Sequence, residues 1–205
     1  MNSLDPRLAG TMILASSVIF LVIKRWATGS FLKGRPEGGA LLWFMHVFNL
    51  FFLLAVSPAV TILLVARRWE TLDPTILDLG RSPWHLGLEV GGLLLCLAGN
   101  FLMCWALVTM RGHFQVLGKT PRPADRLILS GPYQLVRHPM YTSVLGLSLG
   151  LALVTQSLGI FALFSVYAGL IPSLVAFEEE GLRRVFGDPF EAYRNRVRKL
   201  IPLFY

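Results

Sequence analysis

The residues best equipped for chemistry lie in two short clusters. The first is Arg137-His138-Pro139, inside the run Gly131-Pro132-Tyr133-Gln134-Leu135-Val136-Arg137-His138-Pro139-Met140-Tyr141. Gly131-Pro132 is turn chemistry. Pro139 suits the first turn of a helix, where its missing N–H leaves no bond unmade. Arg137 and His138 therefore stand at a helix N-terminus, where free backbone N–H groups and the positive end of the helix dipole attract a carboxylate or phosphate. The bland alternative, that both are interface anchors, has equal weight on pattern alone. The second cluster is Glu178-Glu179-Glu180, which ends a stretch, 143–177, without any charged residue. Three adjacent carboxylates beside a bilayer are costly unless solvated or paired. They read either as the solvated start of an amphipathic helix or as a group from which one carboxylate binds a cationic or hydroxyl-rich ligand.

The elements that position these clusters are membrane spans. The 205 residues are 54% hydrophobic and 15% charged, with mean hydropathy +0.60, against roughly a quarter charged in a soluble domain. The expected fold is all-α and polytopic, one domain over 1–205. Five spans are expected: Leu8 to Ile23, Ala40 to Ala66, long enough to tilt or to kink at Pro58, His85 to Met110, Pro139 to about Thr155, and about Leu158 to Phe177. Three lie in 1–110. The last two, in 111–205, are parted only by Gln156 and Ser157 and form a tight antiparallel hairpin. That hairpin brings His138 and Glu178 to one membrane face. Beyond it, Asp188-Pro189 reads as a cap and first turn. Phe190, Tyr193, Val197 and Leu200 among arginines then predict an amphipathic tail helix along the membrane surface.

Charge sets the orientation. Fifteen of the 19 Lys and Arg residues fall in 24–39, 111–138 and 178–205, all on one side if five spans are real. Arg7, Arg67, Arg68 and Arg81 fall on the other. The positive-inside rule then places the N-terminus outside and the C-terminal tail in the cytoplasm. The net charge of +7 fits this topology and anionic headgroups rather than nucleic acid. Cys96 and Cys104 sit within one apolar run, and no Cys/His spacing suggests a metal site. Among other polar groups, Glu89 and Asn100 are expected to face the protein interior, and His46 and Asn49 to form a hydrogen-bonded pair between helices. Gly146 and Gly150 form a small-residue seam against the fifth span or a second copy of the chain.

Taken together, Gly131-Pro132-Tyr133, Arg137-His138-Pro139-Met140-Tyr141, Glu178-Glu179 through Leu182 to Phe186-Gly187, Tyr193 and Pro202 resemble the signature of the isoprenylcysteine carboxyl methyltransferase family, to which the phospholipid methyltransferases are similar. The resemblance covers about residues 111–205. It implies S-adenosylmethionine as cofactor, at the cytoplasmic end of the terminal hairpin, and a lipophilic acceptor reached from the bilayer. It assigns cofactor contacts to Tyr133, His138, Pro139, Met140, Tyr141 and Glu178. It also assigns the stretch Asp125-Arg126-Leu127-Ile128, where Asp125 replaces the family's usual histidine. The prenylcysteine enzymes carry an arginine four residues before the glutamate. Here that residue is Leu174, so a carboxylate acceptor loses its expected counter-ion. No catalytic residue is assigned, though His113 is a candidate base for an amine acceptor. Sterol reductases using NADPH share a similar C-terminal arrangement, but their motif resembles R-H-x-N-Y, whereas Met140 precedes Tyr141 here. A non-enzymatic helical scaffold or transporter is the third reading.

Overall fold

About 20 apolar residues wound as α-helix rise roughly 30 Å, the thickness of a bilayer core. In the computed structural model, which describes residues 3–29, 39–77, 83–111 and 126–201, four helices reach that length with apolar composition and a fifth is shorter. The order is α1 (Pro6–Thr28), α2 (Ala40–Phe51), a wide π-helical turn (Phe52–Val56), α3 (Ser57–Val65), the short α4 (Trp69–Leu72), α5 (Pro83–Thr109), α6 (Pro139–Thr155), α7 (Leu158–Phe186) and α8 (Asp188–Arg196). The chain is thus an all-helical polytopic membrane protein.

Each expected span has its helix, and the deviations have local causes. In the second, the irregularity precedes Pro58. A proline cannot donate to the preceding turn, and the wide turn over Phe52–Val56 absorbs the defect before α3 begins. The hydroxyl of Thr61 then donates to the carbonyls of Ser57 and Pro58 at 2.9 Å each. The fifth span does not stop at Phe177. Helix α7 runs on to Phe186, so the three glutamates lie within its last turns instead of starting a new helix. At the next boundary, Gly187, with φ +55°, is the cap of α8, and Asp188 is its first residue, not its cap.

The hairpin is as expected. Gln156 adopts a left-handed conformation between α6 and α7, and the Ser157 side chain accepts from the Ile160 N–H at 3.2 Å, capping α7. The segment before α5 is stitched to this tip. The Leu77 N–H donates to the Gln156 carbonyl at 3.0 Å, and that of Leu158 to the Thr75 carbonyl at 3.1 Å.

The tightest seam joins α5 to α6, neither of the two partners expected for Gly146 and Gly150. A Cβ at Gly150 would lie 2.6 Å from the Gly92 carbonyl oxygen, and one at Gly99 2.8 Å from that of Ser143. Backbones this close are the usual consequence of small residues in membrane helices, where dispersion contacts rather than hydrophobic burial drive association. Two polar side chains of α5, Asn100 and Glu89, find partners inside the bundle. Asn100 donates to the hydroxyls of Ser16 and Ser17 on α1 at 2.8 and 3.2 Å. Glu89 accepts from the Leu4 N–H at 2.7 Å and pairs with His85 at 3.1 Å. The amide of Asn49 donates to the Met45 carbonyl of its own helix at 2.9 Å, and its side chain also interacts with Tyr167 of α7.

Gly150→Ala should lower stability by about 1–3 kcal/mol, because the added methyl would meet the Gly92 carbonyl oxygen and the backbone N and buried Sγ of Cys96, all within 2.8 Å. Gly169→Ala, where a Cβ meets nothing within 4 Å, should be neutral or slightly stabilising. Thermal unfolding of the two variants in the same detergent checks the contrast.

Candidate functional site

The site forms where the start of α6 meets the last turns of α7, and the tail closes over both. The chain enters through Gly131, whose φ is +61° and whose Cβ would lie 2.6 Å from the Thr109 hydroxyl. Glycine alone suits both constraints. The short helical turn Gly131–Gln134 follows, with Pro132 and Tyr133 buried, and α6 starts at Pro139 with His138 as its cap residue. Intrahelical partners do not exist for the N–H groups of the first turn, and among the described residues those of Met140 and Tyr141 make no hydrogen bond outside the helix.

Glu178 and Glu179 have different surroundings. The Glu179 side chain is 10% accessible and is the internal member. It accepts from Arg137 Nε at 2.8 Å and from His138 Nε2 at 3.2 Å, with Arg194 at 3.9 Å. The Arg137 side chain is 6% accessible and completes its donors on the tail, at the carbonyls of Arg194, 3.0 Å away, and Val197. Glu178 keeps 25% of its side chain accessible. It accepts from the Tyr141 hydroxyl at 2.6 Å and lies 3.5 Å from His138 Nδ1. The imidazole thus bridges both carboxylates, and its ring lies 5.8 Å from that of Tyr141.

The tail is built into the site. The N–H groups of Arg137 and His138 donate to the carbonyls of Arg198 and Lys199 at 2.7 and 3.0 Å. The Thr142 hydroxyl donates to the Leu200 carbonyl at 2.7 Å, and that of Tyr193 to the Tyr133 carbonyl at 2.6 Å. Phe190, Tyr193 and Leu200 are buried. The expectation of a helix lying along a membrane surface is corrected here, since the apolar face of α8 packs onto the protein.

Electrostatics follow from this burial. Burial alone would favour neutral His138, but hydrogen bonds and charge from Glu178 and Glu179 outweigh it and raise its pKa above the ordinary histidine value. Burial, reinforced by the charge of Glu178, raises that of the Tyr133 phenol, which stays protonated and able to donate.

Of the residues singled out in the sequence, His138, Tyr141 and Glu178 converge directly. Tyr133 joins them through the tail, and Pro139 and Met140 through the first turn of α6. Arg126 is exposed, and Leu127 and Ile128 are half-buried, in the irregular run before Gly131. Among the described residues, no hydrogen bond joins these three to His138 or Glu178. Asp125 and His113 lie outside the described residues. Sequence reasoning missed the separate role of Glu179 and the tail's part in the site. The signal for the first was present, because neighbouring carboxylates on one helix cannot face the same way. Among the described residues, no three His, Cys, Asp or Glu side chains gather to hold a metal ion.

Residues 88–189 match the phospholipid methyltransferase family. Over 125 residues, 60% of this chain and 55% of the relative, the sequence is 33% identical to the cobalt-zinc-cadmium resistance protein CzcN of Cupriavidus metallidurans. It is 28% identical over 120 residues, 58% of this chain and 61% of the relative, to protein-S-isoprenylcysteine O-methyltransferase B of Arabidopsis thaliana. It is 33% identical over 111 residues, 53% of this chain and 47% of the relative, to the protein-S-isoprenylcysteine O-methyltransferase of Schizosaccharomyces pombe. The matched stretch spans roughly half the length of these relatives.

Raising the pKa of His138 links protonation to stability. The contribution is complete below the unfolded histidine value of about 6.5 and is lost as pH rises through the higher folded value. The melting temperature should therefore fall as pH is raised from about 6.5 into the alkaline range, and His138→Gln should flatten that decline. Equal slopes in the two proteins would contradict the assignment.

Proposed function

The chain belongs to the phospholipid methyltransferase family, and we propose that it transfers a methyl group from S-adenosylmethionine to a lipophilic acceptor at the cytoplasmic face of its membrane. The observation that carries this reading is Glu178, a partly accessible carboxylate beside His138, Tyr141 and the free N–H groups that open α6. Such a donor set fits the cofactor's two charged ends. The N–H groups of Met140 and Tyr141 would receive its carboxylate, and Glu178 its ammonium or ribose hydroxyls. Tyr133, Pro139 and the stretch Asp125-Arg126-Leu127-Ile128 complete the proposed pocket. Bound there, the cofactor supplies an electrophilic methyl group on a sulfonium. The protein's part is to orient the acceptor, through His138 and Tyr141 held on Glu178, and to keep water away. No covalent intermediate is required.

The acceptor we infer is a neutral nucleophile, such as an amine lipid after proton loss or a thiol. Leu174, where the prenylcysteine enzymes would have arginine, is fully buried in α7. Arg137, the nearest alternative cation, is already committed to Glu179 and two tail carbonyls. An ionised carboxylate would enter that pocket without a counter-ion, which is costly.

Titration of the purified protein in lipid nanodiscs should show saturable binding of S-adenosylmethionine and none of NADPH. Glu178→Gln should weaken that binding by about ten- to hundredfold, as expected for losing a partner to a charged ligand group worth about 1.5–3 kcal/mol. NADPH binding in its place would overturn the methyl-transfer reading.

The acceptor is decided by turnover. Methylation should be faster on an amine phospholipid than on a farnesylated cysteine analogue, and efficient methyl ester formation on the latter would overturn the neutral-nucleophile inference alone.

A further inference from the structure

Helices α1 and α3 meet closely, since a Cβ at Gly10 would lie 2.9 Å from the Thr61 carbonyl oxygen. Helix α2, which begins the same span as α3, does not follow α1 in this way, and α1 packs instead on α3 and α5. The two helices therefore part toward the end of the bundle that also carries His138 and Glu178. Lys24 of α1 and His46 of α2 face each other there, near enough for the lysine charge to act on the imidazole. Lys24 lies one turn before the end of α1, with its ammonium 6.0 Å from the centre of the Phe20 ring. Both side chains are half-buried and keep part of their surface open, and none of their nitrogens is sealed from the surroundings. Among the described residues, no carboxylate pairs with either one, and no hydrogen bond occupies Nζ of Lys24 or the ring nitrogens of His46.

A lysine set inside a membrane span is costly without a counter-charge. Arg137, at the same end of the bundle, has Glu179 at 2.8 Å. Lys24 has no such partner from the described protein, so its partner comes from outside. An ammonium beside an imidazole repels cations and suits an anion. The imidazole carries at least one N–H in any protonation state, so the pair offers a positive charge and a neighbouring donor to a group with several acceptor oxygens. A phosphate is such a group. The lysine stem also carries its ammonium toward the level of the headgroups, where membrane phosphates lie. Val22 and Trp26 on α1 and Trp43 and Val47 on α2 are exposed, which gives both helices apolar flanks for fatty chains. We propose that Lys24 and His46 hold the phosphate of an anionic phospholipid seated between α1 and α2, at a site separate from Glu178. The proposal does not rest on the methyl-transfer reading.

Native mass spectrometry of the full-length chain tests it. Phosphatidylglycerol should be retained over a diacylglycerol with the same fatty chains, which lacks the phosphate. Lys24→Gln should weaken that retention by about tenfold or more, as expected for losing a charged hydrogen-bond partner, and Lys24→Arg should preserve most of it. Arg184→Gln removes the same charge from an exposed side chain paired with Glu180 at 3.0 Å and should leave retention unchanged. Equal loss in the two glutamine variants would show diffuse attraction and overturn the proposal, as would undiminished retention in Lys24→Gln. Inorganic phosphate that raises the melting temperature as much as phosphatidylglycerol does would assign the site to the free ion and overturn the lipid. Should Lys24→Gln fail to fold, the wild-type chain in nanodiscs still decides. Phosphatidylglycerol with brominated chains should quench Trp43 emission, isolated as the difference between wild type and Trp43→Phe, more than brominated diacylglycerol at equal mole fraction. Equal quenching by the two would contradict the site.

Discussion

An ion pair buried at the end of a membrane helix constrains everything around it. Glu179 and Arg137 each expose a tenth or less of their side chains, and charges so placed persist only when fully paired and hydrogen-bonded. Glu179 alone cannot satisfy five guanidinium donors, so Arg137 also requires carbonyls, and those of Arg194 and Val197 are the ones within reach. The tail must therefore double back along residues 136–138. That return sets the backbone of His138, buries Tyr193 under Tyr133 and ties Leu200 to Thr142. Removing either partner would leave a buried charge and cost about 3–5 kcal/mol.

The same pair explains how two adjacent glutamates take on different surroundings. Successive residues on an α-helix point about 100° apart, so when Glu179 faces Arg137, Glu178 must face elsewhere. It reaches Tyr141 and a partly open space. One carboxylate is spent on architecture, and the other stays available to a ligand. His138 touches both, so the fixed and the available halves of the site are linked through a single imidazole.

Much of this was legible in the sequence because it follows from local rules. Apolar run lengths marked each span, Gln156-Ser157 marked the hairpin, and Pro139 marked the start of α6. Those assignments were enough to bring His138 and Glu178 to one end. What stayed hidden depends on tertiary packing. Phe177-Glu178 looks like a boundary because charge normally ends a span, but α7 continues since Glu179 has a buried partner. The apolar face of the tail looks like a membrane-surface helix because periodicity reports that a face is buried, not against what. For the same reason, the glycines of α6 declared a close approach without naming α5. The run from Asp125 to Ile128 rested on resemblance alone, and the hydrogen bonds of the described residues do not join its visible part to Glu178.

The seam between α5 and α6 also governs traffic. Gly92, Gly99 and Gly150 bring the two backbones so close that a single methyl group does not fit between them. No acyl or prenyl chain can thread that joint, and the two helices must move as one wall. Whatever reaches the space beside Glu178 from the side must do so elsewhere than between α5 and α6. The seam is a hinge-free wall, and any adaptation of that space to an occupant falls to the elements around it.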